Sequence, residues 1–570
     1  MRFLAVATDY DGTLATDGRV PSFVLRALER LRASGRCVVL VTGRELPDLA
    51  SVFPQIDLFD LIVAENGALL YVPNEKREIP LAEGPPPELL ATLRARGVSP
   101  LSAGRVIVSS AESQSARILE AIQGLGLEWH LIFNKGSVMA LPSGVNKATG
   151  LSAALRRMAL SPHNIVAIGD AENDHAFLCC SELAVAVGDA LPSLKQRADV
   201  VTRGRASSGV AELVEEVLKD DLATFAAAVT RHDILLGSLP DGTPITIPAY
   251  GHNVLVSGGS QAGKTTLMAG FLERLLEKKY QFCLVDPEGD YEELGDAVVL
   301  GGPKARPSLD DVLTVLANPD RSTVVNLTGF HLEDRHGFFQ ALFPRLQELR
   351  ATHGRPHWIV VDEAHHVLSA DNDLSGMTVP QDMVNVMFAT IGPETVRHAA
   401  VARTDTFIVL GDDPGDKYAS WSRICGCGPM RLPVAALRPR EAIIARRCGR
   451  QAPALFHVAA CQKERTRHRR KYAAGELPPD RSFFFKGPDG RLNLRAQNLM
   501  TFLQLADGVD DETWLHHLRQ GDYSGWFRDQ IHSEDLAAAS AVIEEDANLS
   551  AAESRKRLRK EIEKRFTFAA

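Results

Sequence analysis

Cysteine is scarce in this chain, eight in 570 residues with no regular spacing. That excludes a disulfide-scaffolded class and favours a reduced, intracellular setting. No run of eighteen apolar residues occurs, so neither a membrane-spanning helix nor a membrane partner is expected. The opening MRFLAVATDYDGTL has no long apolar region and no small-residue cleavage site, and the expected location is cytoplasmic. A dominant charge sign is also missing: 63 basic residues face 72 acidic ones, for a net charge of −9. Any surface for nucleic acid or anionic lipid must therefore be local. Glycine (44) and proline (31) stand at ordinary levels in a chain that is 45% hydrophobic, which excludes collagen-like and mainly disordered classes. What remains is a globular chain long enough for about three or four domains.

Residues 1–220 alternate short β-branched runs with helical stretches, the pattern of a doubly wound α/β domain with its active residues at the carboxyl ends of the strands. The expected strands are FLAVAT, CVVLVT, LIVAEN, NIVAIGD and LAVAVG. Asp9 and Asp11 follow the first in DYDGTL, two carboxylates on one side of a period-two chain, with Gly12 free to turn beside them. Such a pair points to a magnesium site or an acid/base pair, with metal the better reading. Thr42 closes the second strand in VTGR, Lys147 sits in GVNKATGL, and Asp170 and Asp174 follow a later strand in GDAENDHAFL. Taken singly, a strand-end Asp is often a helix cap and a lone Lys is usually solvated.

In this order, the four pieces resemble the haloacid-dehalogenase-like phosphatases over residues 1–217. The resemblance implies that Asp9 attacks a phosphoryl group to form an aspartyl-phosphate, while Asp11 protonates the leaving oxygen and later activates water. It implies that Thr42 and Lys147 hold phosphoryl oxygens, and that Asp170 binds Mg2+ with Asp9 and the Asp11 carbonyl. Asp174 would orient the metal shell and Lys147, with Asn173 assisting. Retention of Asp11 points within that family to phosphatases or phosphomutases. Residues 85–142 read as helix, strand, helix, strand, strand, and resemble the small α/β cap of the sugar-phosphatase-like branch. Arg105, Ser109, Asn134 and Lys135 are then candidates for substrate contact, although each also reads as an ordinary surface polar residue.

A second domain is expected over residues 221–460. GGSQAGKT, Gly258 to Thr265, fits G-x-x-x-x-G-K-[ST] between an expected strand, HNVLVS, and an expected helix, TTLMAGFLERLLEKK. Gly258 and Gly263 let backbone N–H groups approach phosphates, Lys264 neutralises the β/γ charge, Thr265 coordinates Mg2+, and Thr266 joins the ATP-binding set. HWIVVDEAHHVL supplies Asp362 for the magnesium shell and Glu363 to polarise the attacking water, so ATP hydrolysis is expected. QFCLVDPEGDYEEL and DILLGSLPDGTPITI resemble the HerA/FtsK-like ATPases across residues 232–458. That resemblance implies a hexameric ring around DNA or peptide, with Arg397 or Arg403 as the Arg reaching a neighbouring site. The chain departs from the family in its short β segment before the loop, and in Thr390, which stands where a Gln-bearing sensor strand is common. His365 and His366 read as packing or capping residues. Cys425 and Cys427, with Cys448 downstream, lack the second close pair that a zinc site needs.

Residues 461–570 read as a basic linker followed by a helical module. KERTRHRRK, residues 463–471, is the one dense basic run, suited to nucleic-acid phosphates or to a solvated linker. Trp514, Tyr523, Trp526 and Phe527 read as packing before they read as a base-stacking platform. The whole is expected to be a multidomain α/β protein: a phosphatase-like domain with a small cap, a P-loop domain and a small, mainly helical C-terminal domain. The expected function is Mg2+-dependent hydrolysis of a small phosphomonoester, such as a sugar phosphate, joined to ATP hydrolysis. The alternatives are a nucleic-acid-engaging ATPase whose phosphatase domain processes phosphorylated ends or nucleotides, and a nucleotide-switched partner-binding protein, with a homo-oligomer in view.

Overall fold

The β-branched runs of the first third become strands buried on both faces, because helices cover each side of a parallel sheet. The computed structural model describes all residues except 227, 260–261, 371–379, 381–382, 429, 448–450, 462–476, 478–480, 489, 491, 532, 547 and 566–570. Cys448 and the basic run 463–471 lie outside the described residues. The chain divides into Met1–Ala459 and Ala460–Ala570.

Among the described residues the first sheet has eight strands, ordered Val200–Val201, Leu183–Ala186, Ile165–Gly169, Ala5–Thr8, Cys37–Val41, Leu61–Ala64, Leu69–Val72 and Arg77–Pro80. The strands from Val200–Val201 to Leu61–Ala64 run parallel, and the last two are antiparallel. A separate four-stranded antiparallel sheet lies between Leu101 and Pro142, backed by helices Pro87–Ala95 and Ser115–Gly124. Its own core joins Leu89, Leu93, Ile118 and Ile122 to Val108 and Val138. The sequence segment GRVIVSS, read as one strand, is a turn followed by Val108–Ala111, and an edge strand Leu101–Ala103 precedes it. The turn closes with the Gly104 N–H donating to the Ile107 carbonyl at 2.9 Å.

The central sheet has eleven strands among the described residues. Seven of these, from Thr406–Leu410 through Val254–Ser257, Val386–Thr390, Trp358–Val361, Phe282–Asp286 and Thr323–Asn326 to Val298–Gly301, are parallel. Glu441–Arg446, Ala454–Val458, Ile234–Ser238 and Pro244–Ile247 extend it antiparallel.

The two sheets meet at the amino ends of their parallel strands. His163 and Glu182, which precede two strands of the first sheet, pack against Tyr280 and His357, which precede two strands of the central one. The His163 ring stacks on Tyr280 at 3.7 Å between centroids. Glu182 accepts from the Tyr280 hydroxyl and pairs with His163 Nδ1, each at 2.7 Å, and it also pairs with Arg2. Asn164 donates to the Gly354 carbonyl at 3.1 Å, and Arg355 to the Ala159 carbonyl at 2.9 Å.

In the C-terminal unit a hairpin, Phe483–Phe485 with Leu494–Ala496, packs on helices Leu499–Gly508, Asp511–Gln520, Asp522–Asp529, Glu534–Glu544 and Ala551–Arg565. Trp514, Tyr523, Trp526 and Phe527 are buried in this core, so they are packing residues. The Trp514 indole N–H donates to Ser554 at 2.9 Å. No helix among the described residues is long and apolar enough to cross a membrane.

Candidate active sites

The carboxyl ends of Ala5–Thr8, Cys37–Val41 and Ile165–Gly169 deliver Asp9, Thr42 and Asp170 to one crevice, and the helix Lys147–Arg157 delivers Lys147 at its first residue. Asn146 fixes that helix start with a capping box, its side chain accepting from the N–H groups of Ala148 and Thr149. Lys147 is fully buried and donates to Asp9 Oδ1 and to Asp174 Oδ1, both at 2.6 Å. The other oxygen of Asp174 accepts from the N–H groups of Asp170 (2.8 Å) and Ala171 (2.9 Å). Both its oxygens are engaged, so Asp174 holds Lys147 and the loop before it. Burial, then the charges of Asp174 and Asp170, push the Asp9 carboxyl up to about 8, and Lys147 offsets them only in part. Lys147 itself is held above its ordinary value by the two carboxylates, against the cost of burial.

Asp11 is gripped by Arg44, whose Nε and Nη2 reach its two oxygens at 2.7 and 2.8 Å, while Nη1 binds Asp48 at 2.6 Å. A carboxylate in such a fork can only accept, and must turn off Arg44 to pass a proton. Arg44 stands in VTGR two residues after Thr42, a basic residue just past a strand end, and that was the available signal for it. Thr42 is buried, and its hydroxyl accepts from the Arg44 N–H at 3.1 Å. Asn173 donates to Asn66 at 3.0 Å.

A divalent cation fits the cradle beside Asp9. Carboxylate oxygens of Asp9, Asp170 and Asp174 lie within 4.8 Å of one another. The ammonium of Lys135, a cation, bonds the Asp11 carbonyl and Asp170 Oδ2, the latter at 2.8 Å. A Cβ on Gly12 would lie 2.5 Å from Asp170 Oδ2 and collide with that ammonium, so the glycine keeps the cradle open. Asp9, Asp170 and the Asp11 carbonyl are the groups that would hold the metal.

The cap candidates separate. Lys135 enters the crevice. Asn134 is beside it in the chain, half-buried, with a side-chain oxygen that is buried without a partner. Arg105 turns outward to Glu78 at 2.6 Å, and Ser109 bonds Glu45 at 2.9 Å, so neither faces the carboxylates. Sequence reasoning passed over Glu65. This buried residue accepts the N–H groups of Arg105, Val106 and Ile107 at 2.8, 2.8 and 3.2 Å, and so ties the cap strap to the body.

The second cluster lies at the carboxyl ends of the central sheet. Gly258 follows Val254–Ser257, and Lys264 opens the helix Lys264–Glu277 after Gly263, whose φ of 96° turns the chain into it. Lys264 is buried and donates to the carbonyls of Gly258 (2.9 Å) and Gly259 (3.2 Å), and it lies 3.2 Å from Glu363 Oε1. Thr265 and Thr266 follow on the first turn, half-buried. Asp362 accepts from the Tyr291 hydroxyl at 2.8 Å, and burial and the Glu363 charge raise its carboxyl to about 7. Asp286 organises DPEGDY by accepting from the N–H groups of Gly289 and Tyr291, both at 2.9 Å. His365 and His366 form a short turn after the acidic pair, and Thr390 bonds Thr395 at 2.8 Å. Arg397 is buried, only 4% exposed, whereas Arg403 is exposed. Cys425 and Cys427 are unbridged, and the metal-competent groupings among the described residues do not include them.

The sequence profile of the haloacid dehalogenase-like hydrolases matches residues 6–92 and 101–214. A phosphoglycolate phosphatase of Methanothermobacter thermautotrophicus is 30% identical over 226 residues, covering 38% of this chain and 98% of that protein. One of Methanopyrus kandleri is 29% identical over 225 residues, covering 38% of this chain and 97% of its own length. A solved structure of a haloacid dehalogenase-like hydrolase from Bacteroides thetaiotaomicron aligns with a TM-score of 0.34 and 19% identity, over 38% of this chain and 99% of that one.

Proposed function

From the premise that the chain belongs, through residues 6–214, to the haloacid dehalogenase-like hydrolases, we propose that its first crevice hydrolyses a small phosphomonoester. The observation that carries this reading is Lys147 fully buried between Asp9 and Asp174 at 2.6 Å from each. Asp9 is the nucleophile, attacking phosphorus and releasing the leaving oxygen as an aspartyl-phosphate forms. Asp11, turned off Arg44, gives that oxygen its proton and then takes one from the water that cleaves the acyl-phosphate. Thr42 and Lys147 hold the phosphoryl oxygens, and Asp174 fixes Lys147. When bound, a divalent cation such as Mg2+ supplies the positive charge that ionises Asp9 and neutralises the phosphate. Phosphoglycolate, from the relatives' names, and a sugar phosphate are the first two substrates to compare.

A second reading concerns the central domain. The buried Lys264, held by two loop carbonyls and Glu363, supports a P-loop that binds ATP with Mg2+ and hydrolyses it. Lys264 leaves Glu363 for the β/γ-phosphates, and Glu363 is then free to polarise water. Asp362 and Thr265 are the residues that would hold the metal.

One experiment tests both. Phosphate release is measured from phosphoglycolate, a sugar phosphate and ATP, with and without duplex DNA, for wild type, Asp9→Asn and Lys264→Ala. Asp9→Asn should lose phosphomonoester turnover by about three orders of magnitude or more and keep ATP turnover, and Lys264→Ala should do the reverse. Retention of phosphomonoester turnover in Asp9→Asn sinks the first reading, and retention of ATP turnover in Lys264→Ala sinks the second. Stimulation by DNA would favour the nucleic-acid alternative.

A further inference from the structure

Lys135 is the first residue of the two-residue turn joining the cap strands Trp129–Asn134 and Ser137–Pro142. Its φ of 48° and that of Gly136, 79°, form the left-handed pair that suits the twist of a tight hairpin. The turn carries the lysine at the tip of the cap sheet. From there the ammonium reaches the Asp11 carbonyl and Asp170 Oδ2, and the side chain remains 45% exposed.

An exposed lysine pairing with a carboxylate is ordinary and worth little. The choice of acceptors is not ordinary. One is a backbone carbonyl and the other a carboxylate whose other side-chain bond among the described residues is from Thr13, and both belong to the cradle that Gly12 keeps open. One seat is thus shared by two cations that cannot occupy it together, because two like charges so close repel.

Resting on the metal-dependent reading above, we propose that the Lys135 ammonium and the divalent cation compete for this seat. The cap hairpin fills it in the metal-free enzyme and withdraws when the metal loads. Lys135 is then a positioning residue. It keeps Asp170 and the Asp11 carbonyl compensated while the site is empty, and it makes metal loading and movement of the hairpin a single event. Metal affinity is lowered by the strength of the contact that must be broken, a charge-assisted pair at a half-exposed position.

The test is calorimetric titration of the full chain with MgCl2 alone, for wild type, Lys135→Met, Lys135→Arg and Asp170→Asn. The heat lost in Asp170→Asn identifies binding at this seat. Lys135→Met should bind Mg2+ about fivefold to tenfold more tightly than wild type at that seat, and Lys135→Arg, which keeps the charge, should stay near wild type. Amide exchange at 134–137 should also quicken on adding Mg2+ to wild type as the tip leaves the crevice. An affinity in Lys135→Met within about twofold of wild type, or weaker, overturns the competition while leaving the metal reading intact. No Asp170-dependent binding in any variant overturns both.

Discussion

Lys147 is fully buried, and among the described residues its charge is compensated by the carboxylates of Asp9 and Asp174, with the Phe177 ring 5.6 Å from the ammonium. Replacing Asp174 with Asn leaves a buried ammonium against a single carboxylate that burial already disfavours as an ion. Breaking a buried pair in this way costs about 3–5 kcal/mol. Asp174→Asn should therefore lower the urea midpoint as well as abolish phosphomonoester turnover, with denaturation and phosphate release measured on one preparation. An unchanged midpoint would mean that Lys147 is compensated by something else. Asp9, Asp11, Thr42, Lys147, Asp170 and Asp174 were legible in the sequence because each sits at a fixed offset from a strand or helix end, and strand ends show as breaks in apolar runs. The grip of Arg44 on Asp11 was not legible, since it spans 33 residues of chain and depends on how two adjacent loops fold over one another. Lys135 was readable only as one polar residue among several, because nothing local tells a hairpin lysine that it will hang over a carboxylate 35 residues further on.

Elements carry a different kind of information. Five parallel strands of the first sheet announced themselves as apolar runs of four or five residues, but the two-residue strand Val200–Val201 did not, and neither did the edge strand Leu101–Ala103, three residues long and largely exposed. Glu65 was invisible for a related reason: its partners are backbone N–H groups, which leave no trace in side-chain identity. Its effect is on the cap as a body. In Glu65→Gln the acceptor oxygen is halved and an amide faces the strap, so exchange at residues 105–107 should quicken by about tenfold or more, while the sheet strands stay protected. Uniform protection would show that the strap is held by other means.

At the scale of the whole molecule, the seam between the two sheets is built from groups that must stay neutral or paired. Burial lowers His232 to about 4 and holds His357 well below the ordinary histidine value, and His357 Nδ1 accepts the Gln281 N–H at 2.8 Å, so protonation there would cost that bond. A histidine lowered in the folded state is protonated more readily when unfolded. Its contribution is present above the unfolded value near 6.5 and is lost as pH falls from there towards about 4. Glu182, held well below the ordinary carboxylate range by His163 and Arg2 against the cost of burial, loses its contribution in the same direction. The thermal midpoint should fall between pH 6.5 and 4.5, and His357→Asn, which keeps an acceptor for Gln281, should flatten the fall. A midpoint constant over that range would rule the histidines out.

That seam joins the amino ends of both sets of parallel strands, so the two candidate sites open at opposite ends of Met1–Ala459, each about a strand's length, some 17 Å, from the join. Nothing released at one mouth is delivered to the other. A product of the first crevice that was also a reactant of the second would have to diffuse through bulk solvent around the particle, where any scavenging enzyme would intercept it. Fusion in this geometry enforces equal copy number and shared fate, and would leave the two proposed chemistries kinetically as separate as two enzymes in one solution.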